Sequence, residues 1–129
     1  YESTRCRSRM AEASVARLPS LPTQSCTLGN GLRVRLIPLP HLQSATASFF
    51  VRVGSRYEDS ATNGLSHFLE HMPYRGTEAH PAAHELNLAI ERLGGTLDAA
   101  THVDFTSYDL TLPPESIEDG IGMLAEVLG

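Results

Sequence analysis

Nine consecutive residues, Gly64-Leu65-Ser66-His67-Phe68-Leu69-Glu70-His71-Met72, hold two imidazoles and a carboxylate in the pattern H-x-x-E-H. On a helix, at roughly 100° per residue, His71 falls about 40° from His67 and Glu70 about 60° to the other side, so the three share one arc. Two histidines one turn apart are the arrangement by which a helix chelates zinc, since two neutral imidazole nitrogens can reach one ion at ~2.0 to 2.1 Å. A carboxylate beside them can take a proton from water and hand it to a leaving amine, while zinc polarises the carbonyl and lowers the pKa of water toward ~7. This is the chemistry of peptide-bond hydrolysis. The residue order is the inverted form of the H-E-x-x-H zinc helix. Leu65, Phe68, Leu69 and Met72 fall on the opposite side of the same helix and are expected to face the core. Gly64 adds no side chain beside the imidazoles and leaves room there for a ligand.

The elements that must position this helix are legible on both sides of it. Thr23 to Leu28, the turn Gly29-Asn30-Gly31 and Leu32 to Ile37 read as a β-hairpin. Ala45 to Val53 alternates as a half-buried strand, with Ala45, Ala47, Phe49, Val51 and Val53 on one face. Thr62 to Met72 has helical spacing. A second helix is expected from Pro81 through Arg92, stopped by Gly94-Gly95. Thr96 to Ala100 and Val103 to Leu112 follow as strands. Pro113-Pro114-Glu115 then opens a last helix with Ile117, Ile121, Leu124 and Leu128 on one face. The order is β-β-β-α-α-β-β-α without internal repeats, an α+β class with residues 23–129 as its folded part. Residues 1–22 mix Arg, Ser and Pro without a period and read as a disordered or vector-derived tail, with Met10 as an alternative start.

Composition narrows the class further. The chain has 129 residues, 41% hydrophobic and 19% charged, with a formal net charge of −5, which fits one globular domain at most. Residues 1–56 carry eight Arg against two acids, and the remainder two Arg against thirteen. The arginines are not interleaved with aromatics, so nucleic acid is not an expected partner. No apolar run reaches the ~18 to 20 residues a membrane span needs, and the N-terminus lacks the apolar segment of a secretory signal. Cys6 and Cys26 form no C-x-x-C pair and read as free thiols. Arg without any Lys fits a GC-rich genome, and a bacterial cytoplasm is the expected compartment, an organelle or the periplasm being the alternatives.

The motif and its continuation Tyr74-Arg75-Gly76-Thr77 resemble the signature of the pitrilysin family of zinc metallopeptidases, the inverzincins, which include mitochondrial processing peptidases and insulin-degrading enzyme. The resemblance spans about residues 23–129. It takes in Gly29-Asn30-Gly31-Leu32, Arg52-Val53-Gly54-Ser55-Arg56-Tyr57-Glu58, Gly94 to Thr101 and Thr106-Ser107-Tyr108. It implies a mainly antiparallel sheet backed by helices, His67 and His71 as zinc ligands, Glu70 as general base, and a peptide or unfolded protein as substrate. A second half or partner subunit is expected to close the cleft. By the same resemblance the segment after Gly94-Gly95 is an edge strand on which an extended peptide adds by main-chain bonds, making Asp98, Ala99, Ala100 and Thr101 substrate contacts. Asp98 stands where the family usually has Asn, replacing an amide donor by a charge. Pro73, Tyr74 and Arg75 are smaller departures from the family pattern.

The resemblance also implies a third zinc ligand, a Glu about 75 residues beyond the second His. Gly129 falls short of that distance, and Glu115, Glu118 and Glu126 belong to the preceding helix. Two imidazoles are one ligand short of an ordinary catalytic zinc site, so weak or no zinc binding and no turnover are expected of this chain alone. The chain thus reads as the N-terminal part of a zinc metalloendopeptidase. The alternatives are a non-catalytic peptide-binding or scaffolding piece, or a site completed by a ligand from a second chain. Two further groups carry local readings. His80 and His84, four apart but flanking a helix start, read as a surface pair. His102 beside Asp104 either lines the cleft or caps a turn.

Overall fold

The computed structural model describes residues 21–129. Among the described residues, 21–39 and 40–129 form two compact units. The tail reading for residues 1–22 and the free-thiol reading of Cys6 fall wholly or mostly outside the described residues.

The first unit is a hairpin of β1 (Gln24–Thr27) and β2 (Arg33–Leu36), antiparallel with Gln24 opposite Leu36. Gly31 at φ 86° makes the turn possible, and the Asn30 side chain accepts the Leu32 N–H at 3.0 Å. Cys26 is exposed in β1 with no disulfide partner among the described residues.

The second unit is a three-stranded antiparallel sheet in the order β3 (Ala45–Val51), β5 (Thr106–Leu112), β4 (Thr96–Thr101), with three α-helices. The helices are α1 (Leu65–His71), α2 (Ala83–Arg92) and α3 (Ile117–Leu128). This is the α+β architecture and element order expected. Register puts Ala47 and Leu97 beside Leu110, and Phe49 and Ala99 beside Tyr108, on one face of the sheet. That face meets Leu86 and Ile90 of α2 and Leu124 and Val127 of α3 to make the core, with Leu86, Leu110 and Leu112 essentially sealed from water. The other face carries polar pairs beside the exposed Phe50. Thr46 bonds Thr111 at 2.9 Å, Ser48 bonds Asp109, and Asp98 stands directly across from Asp109.

Three local expectations are corrected. Helix α1 begins at Leu65, not Thr62, because Asp59 turns the chain by accepting the Ala61 and Thr62 N–H groups and Gly64 sits at φ 87°. Strand β5 begins at Thr106, not Val103, because His102 to Phe105 is the tight turn from β4, closed by the His102 N–H to the Phe105 carbonyl at 2.8 Å. In α3 the buried line is Gly120, Leu124 and Val127, while Ile121 is 53% exposed. The reason is close approach: a Cβ on Gly120 would lie 2.3 Å from Leu112 Cδ2, so the helix rests on the sheet at its glycine. Helix α2 stops as expected: Gly94, at φ 74°, donates to the Glu91 carbonyl and Gly95 to that of Ile90, a Schellman ending.

Candidate metal centre

Helix α1 is two turns long and has the edge strand β4 among its contacts. Its buried face is narrow and polar. Ser66 is 4% exposed and Glu70 9%, one turn apart, whereas the expected apolar stripe is open: Leu65 45%, Phe68 60%, Leu69 47% and Met72 44% exposed. The expectation that this stripe packs into the core is therefore corrected. An amphipathic pattern says which residues leave water only when something is there to cover them, and among the described residues α1 turns its other side inward.

The sequence-derived triplet is brought together. One ligand-capable atom each of His67, Glu70 and His71 lies within 4.8 Å of the others. The two Nε2 atoms are 3.1 Å apart, the rings 4.7 Å centre to centre and inclined by 62°. Two nitrogens bound tetrahedrally at ~2.0 to 2.1 Å to one ion would be ~3.3 Å apart, so the imidazoles fit a shared zinc. Both are exposed while Glu70 sits inward. Two phenols not singled out from sequence stand near it. Burial, reinforced by Asp98 and Glu70, pushes the Tyr74 phenol up to about 12, and burial followed by Glu70 raises that of Tyr108. Both are uncharged at neutral pH, as an ordinary phenol is.

Asp98, Ala99, Ala100 and Thr101 lie on β4, whose side away from β5 is the sheet edge. Their side chains alternate. Ala99 and Thr101 share the face of Tyr108 and Thr106, whereas Asp98 and Ala100 share that of Asp109 and Ser107. The Thr101 hydroxyl oxygen is buried with no partner. A groove beside His67 is lined by Ser55, Glu58, Gly64, Thr101 and His102; His102 also closes the β4–β5 turn through its N–H, so it holds both of the positions the sequence left open. Asp104 instead bridges to Arg56 at 2.7 Å.

Two acidic residues have structural partners. Glu126 accepts from the Thr77 hydroxyl and pairs with His80 Nδ1 at 2.9 Å, so His80 is tied to α3 and does not form a surface pair with His84. Glu58 accepts the N–H groups of Gly64 and Ser66 at the start of α1, both at 2.8 Å. Sequence reasoning missed it because capping rules look within about three residues of a helix start.

Comparison with known proteins agrees with this geometry. Residues 33–129 match the model of the insulinase family, peptidase family M16. The chain is 36% identical over 106 residues to the mitochondrial-processing peptidase subunit beta of Lentinula edodes, covering 82% of this chain and 22% of that protein. It is 34% identical over 101 residues to an uncharacterized zinc protease of Rickettsia felis, covering 78% and 24%. The crystal structure of pitrilysin superposes with a TM-score of 0.73 at 28% identity, over 84% of this chain and 12% of that one. The chain thus spans less than a quarter of each of these proteins. Among the described residues no helix is long and apolar enough to cross a membrane.

Proposed function

The chain belongs to the insulinase family of peptidases, M16, and from that premise we propose that it carries two zinc ligands, His67 and His71, and the general base, Glu70, of a metalloendopeptidase site. The observation that carries this reading is the 3.1 Å approach of the two Nε2 atoms with Glu70 beside them on one short helix. Zinc, when bound, supplies Lewis acidity toward the scissile carbonyl and toward water. Glu70 accepts the proton of the attacking water and returns it to the leaving nitrogen, a role suited to a carboxylate set inward beside the ligands.

The peptide binds as an added strand on the free edge of β4, its main chain aligned along Asp98, Ala99, Ala100 and Thr101. Helix α1 is in contact with β4, which supports a peptide on that strand lying within reach of the imidazoles. The third ligand is a Glu in polypeptide beyond Gly129, and a second half or partner subunit closes the cleft. This chain alone binds zinc weakly and does not turn over. We propose a bacterial cytoplasm as its compartment, with an organelle as the alternative, since its relatives include both a mitochondrial and a bacterial protein.

In the longer protein, Glu70→Gln removes the base and leaves the imidazoles. Zinc content stays at wild-type level and cleavage of a quenched fluorescent peptide falls by about 10² to 10⁴. Turnover within a few-fold of wild type would remove Glu70 from this role.

A further inference from the structure

We infer that Glu58 is a positioning residue for the metal-binding helix, fixing α1 against the end of the substrate-binding strand β4. The inference rests on the zinc-site reading above.

Helix α1 has only seven residues, too few to be stable unaided. Its N-cap position is Gly64, with no side chain to satisfy the first N–H groups. Glu58 does this from six residues upstream. Its Oε2 accepts the Gly64 N–H and its Oε1 the Ser66 N–H, each at 2.8 Å. The Ser66 hydroxyl and these N–H groups hold the Glu58 carboxyl below its usual range. A negative charge at a helix N-terminus also meets the positive end of the dipole. Ser66 precedes His67 and shares the buried face with Glu70 one turn on, so pinning its backbone pins the first ligand and the base together.

Glu58 is itself anchored to the far side of the groove. It follows the 3-10 turn Ser55–Tyr57, whose Arg56 N–H donates to the Val103 carbonyl at 3.0 Å. A Cβ on Gly54 would lie 2.3 Å from the His102 carbonyl oxygen and 2.7 Å from that of Val103, so this backbone is pressed against the β4–β5 turn. Residues 54–58 therefore run as a strap from the end of β4 to the start of α1. Substrate main chain on one side and the imidazoles on the other take their spacing from it.

The test uses this chain with three variants. Glu58→Ala removes both acceptors, Glu58→Gln leaves one, and Asp59→Ala loosens the adjacent turn at Ala61 and Thr62 while leaving both Glu58 acceptors on Gly64 and Ser66 in place. Zinc is titrated to millimolar while the His67 and His71 ring nitrogens are followed by NMR. Amide exchange at Gly64 and Ser66 and urea midpoints are measured without metal. Glu58→Ala is expected to speed exchange at Ser66 and to weaken zinc binding about tenfold after correction for unfolding, the scale of losing a group that orients a ligand. Glu58→Gln should fall between, and Asp59→Ala should bind zinc as wild type does. Wild-type zinc affinity in Glu58→Ala, or an equal loss in Asp59→Ala, overturns the inference. If Glu58→Ala does not fold, unchanged affinity in Glu58→Gln overturns it. If the wild type shows no zinc shift, two imidazoles alone do not hold the ion in this chain. Exchange at Ser66 then decides for Glu58 alone, and unchanged protection in the variants overturns its role.

Discussion

His67, Glu70 and His71 were readable as a unit because their function is encoded in spacing that a helix converts directly into geometry. Asp98 is a residue of another kind, whose neighbour only strand register reveals. It faces Asp109 across the β4–β5 pair, and like charges directly opposite destabilise a sheet. Asp98→Asn should therefore raise stability by about 0.2 to 1 kcal/mol in urea unfolding, and an unchanged or lower midpoint contradicts that reading. Gly120 is the opposite case, important for what it lacks. Gly120→Ala pushes a methyl into Leu112 and should cost about 1 to 3 kcal/mol, against the gain alanine gives an open helix position. Equal or greater stability in that variant would mean α3 can lift from the sheet freely. A glycine contributes nothing to a hydrophobic pattern, which is why the buried line of α3 was read one residue away, through Ile121.

At the scale of elements, the order and type of every strand and helix followed from alternation, helical period and the Gly94-Gly95 stop. What periodicity did not supply is orientation. Helix α1 is amphipathic as read, yet it buries Ser66 and Glu70 and leaves Phe68 open, because its contact with β4 is made through the polar side. The link between the loop after α1 and helix α3 was also invisible, since Thr77 and His80 reach Glu126 across nearly fifty residues. Hydrogen bonds from Thr77 and His80 hold the Glu126 carboxyl below its ordinary value of 4.5. A carboxylate lowered on folding stabilises the native state above its unfolded pKa, and that contribution is lost as pH falls through the folded value. Wild type and Glu126→Gln should accordingly differ most in urea midpoint near neutral pH and converge on acidification below 4.5. A gap constant from neutral to acid would exclude the ionised carboxylate as the source.

For the molecule as a whole, two facts set the frame. The chain belongs to a peptidase family and spans less than a quarter of the relatives compared with it. The exposed stripe of α1, with Leu65, Phe68, Leu69 and Met72, is an apolar surface on the helix that carries the candidate ligands. The proposed metal centre requires that His67 and His71 share one ion. The most direct measurement is zinc-edge X-ray absorption on the longer protein after dialysis against zinc-free buffer, with His71→Ala beside it. One zinc per chain with two imidazoles in its inner coordination, dropping to one imidazole or to no bound zinc in the variant, is the result predicted. Metal-free wild-type protein, or zinc bound without imidazole, would contradict it.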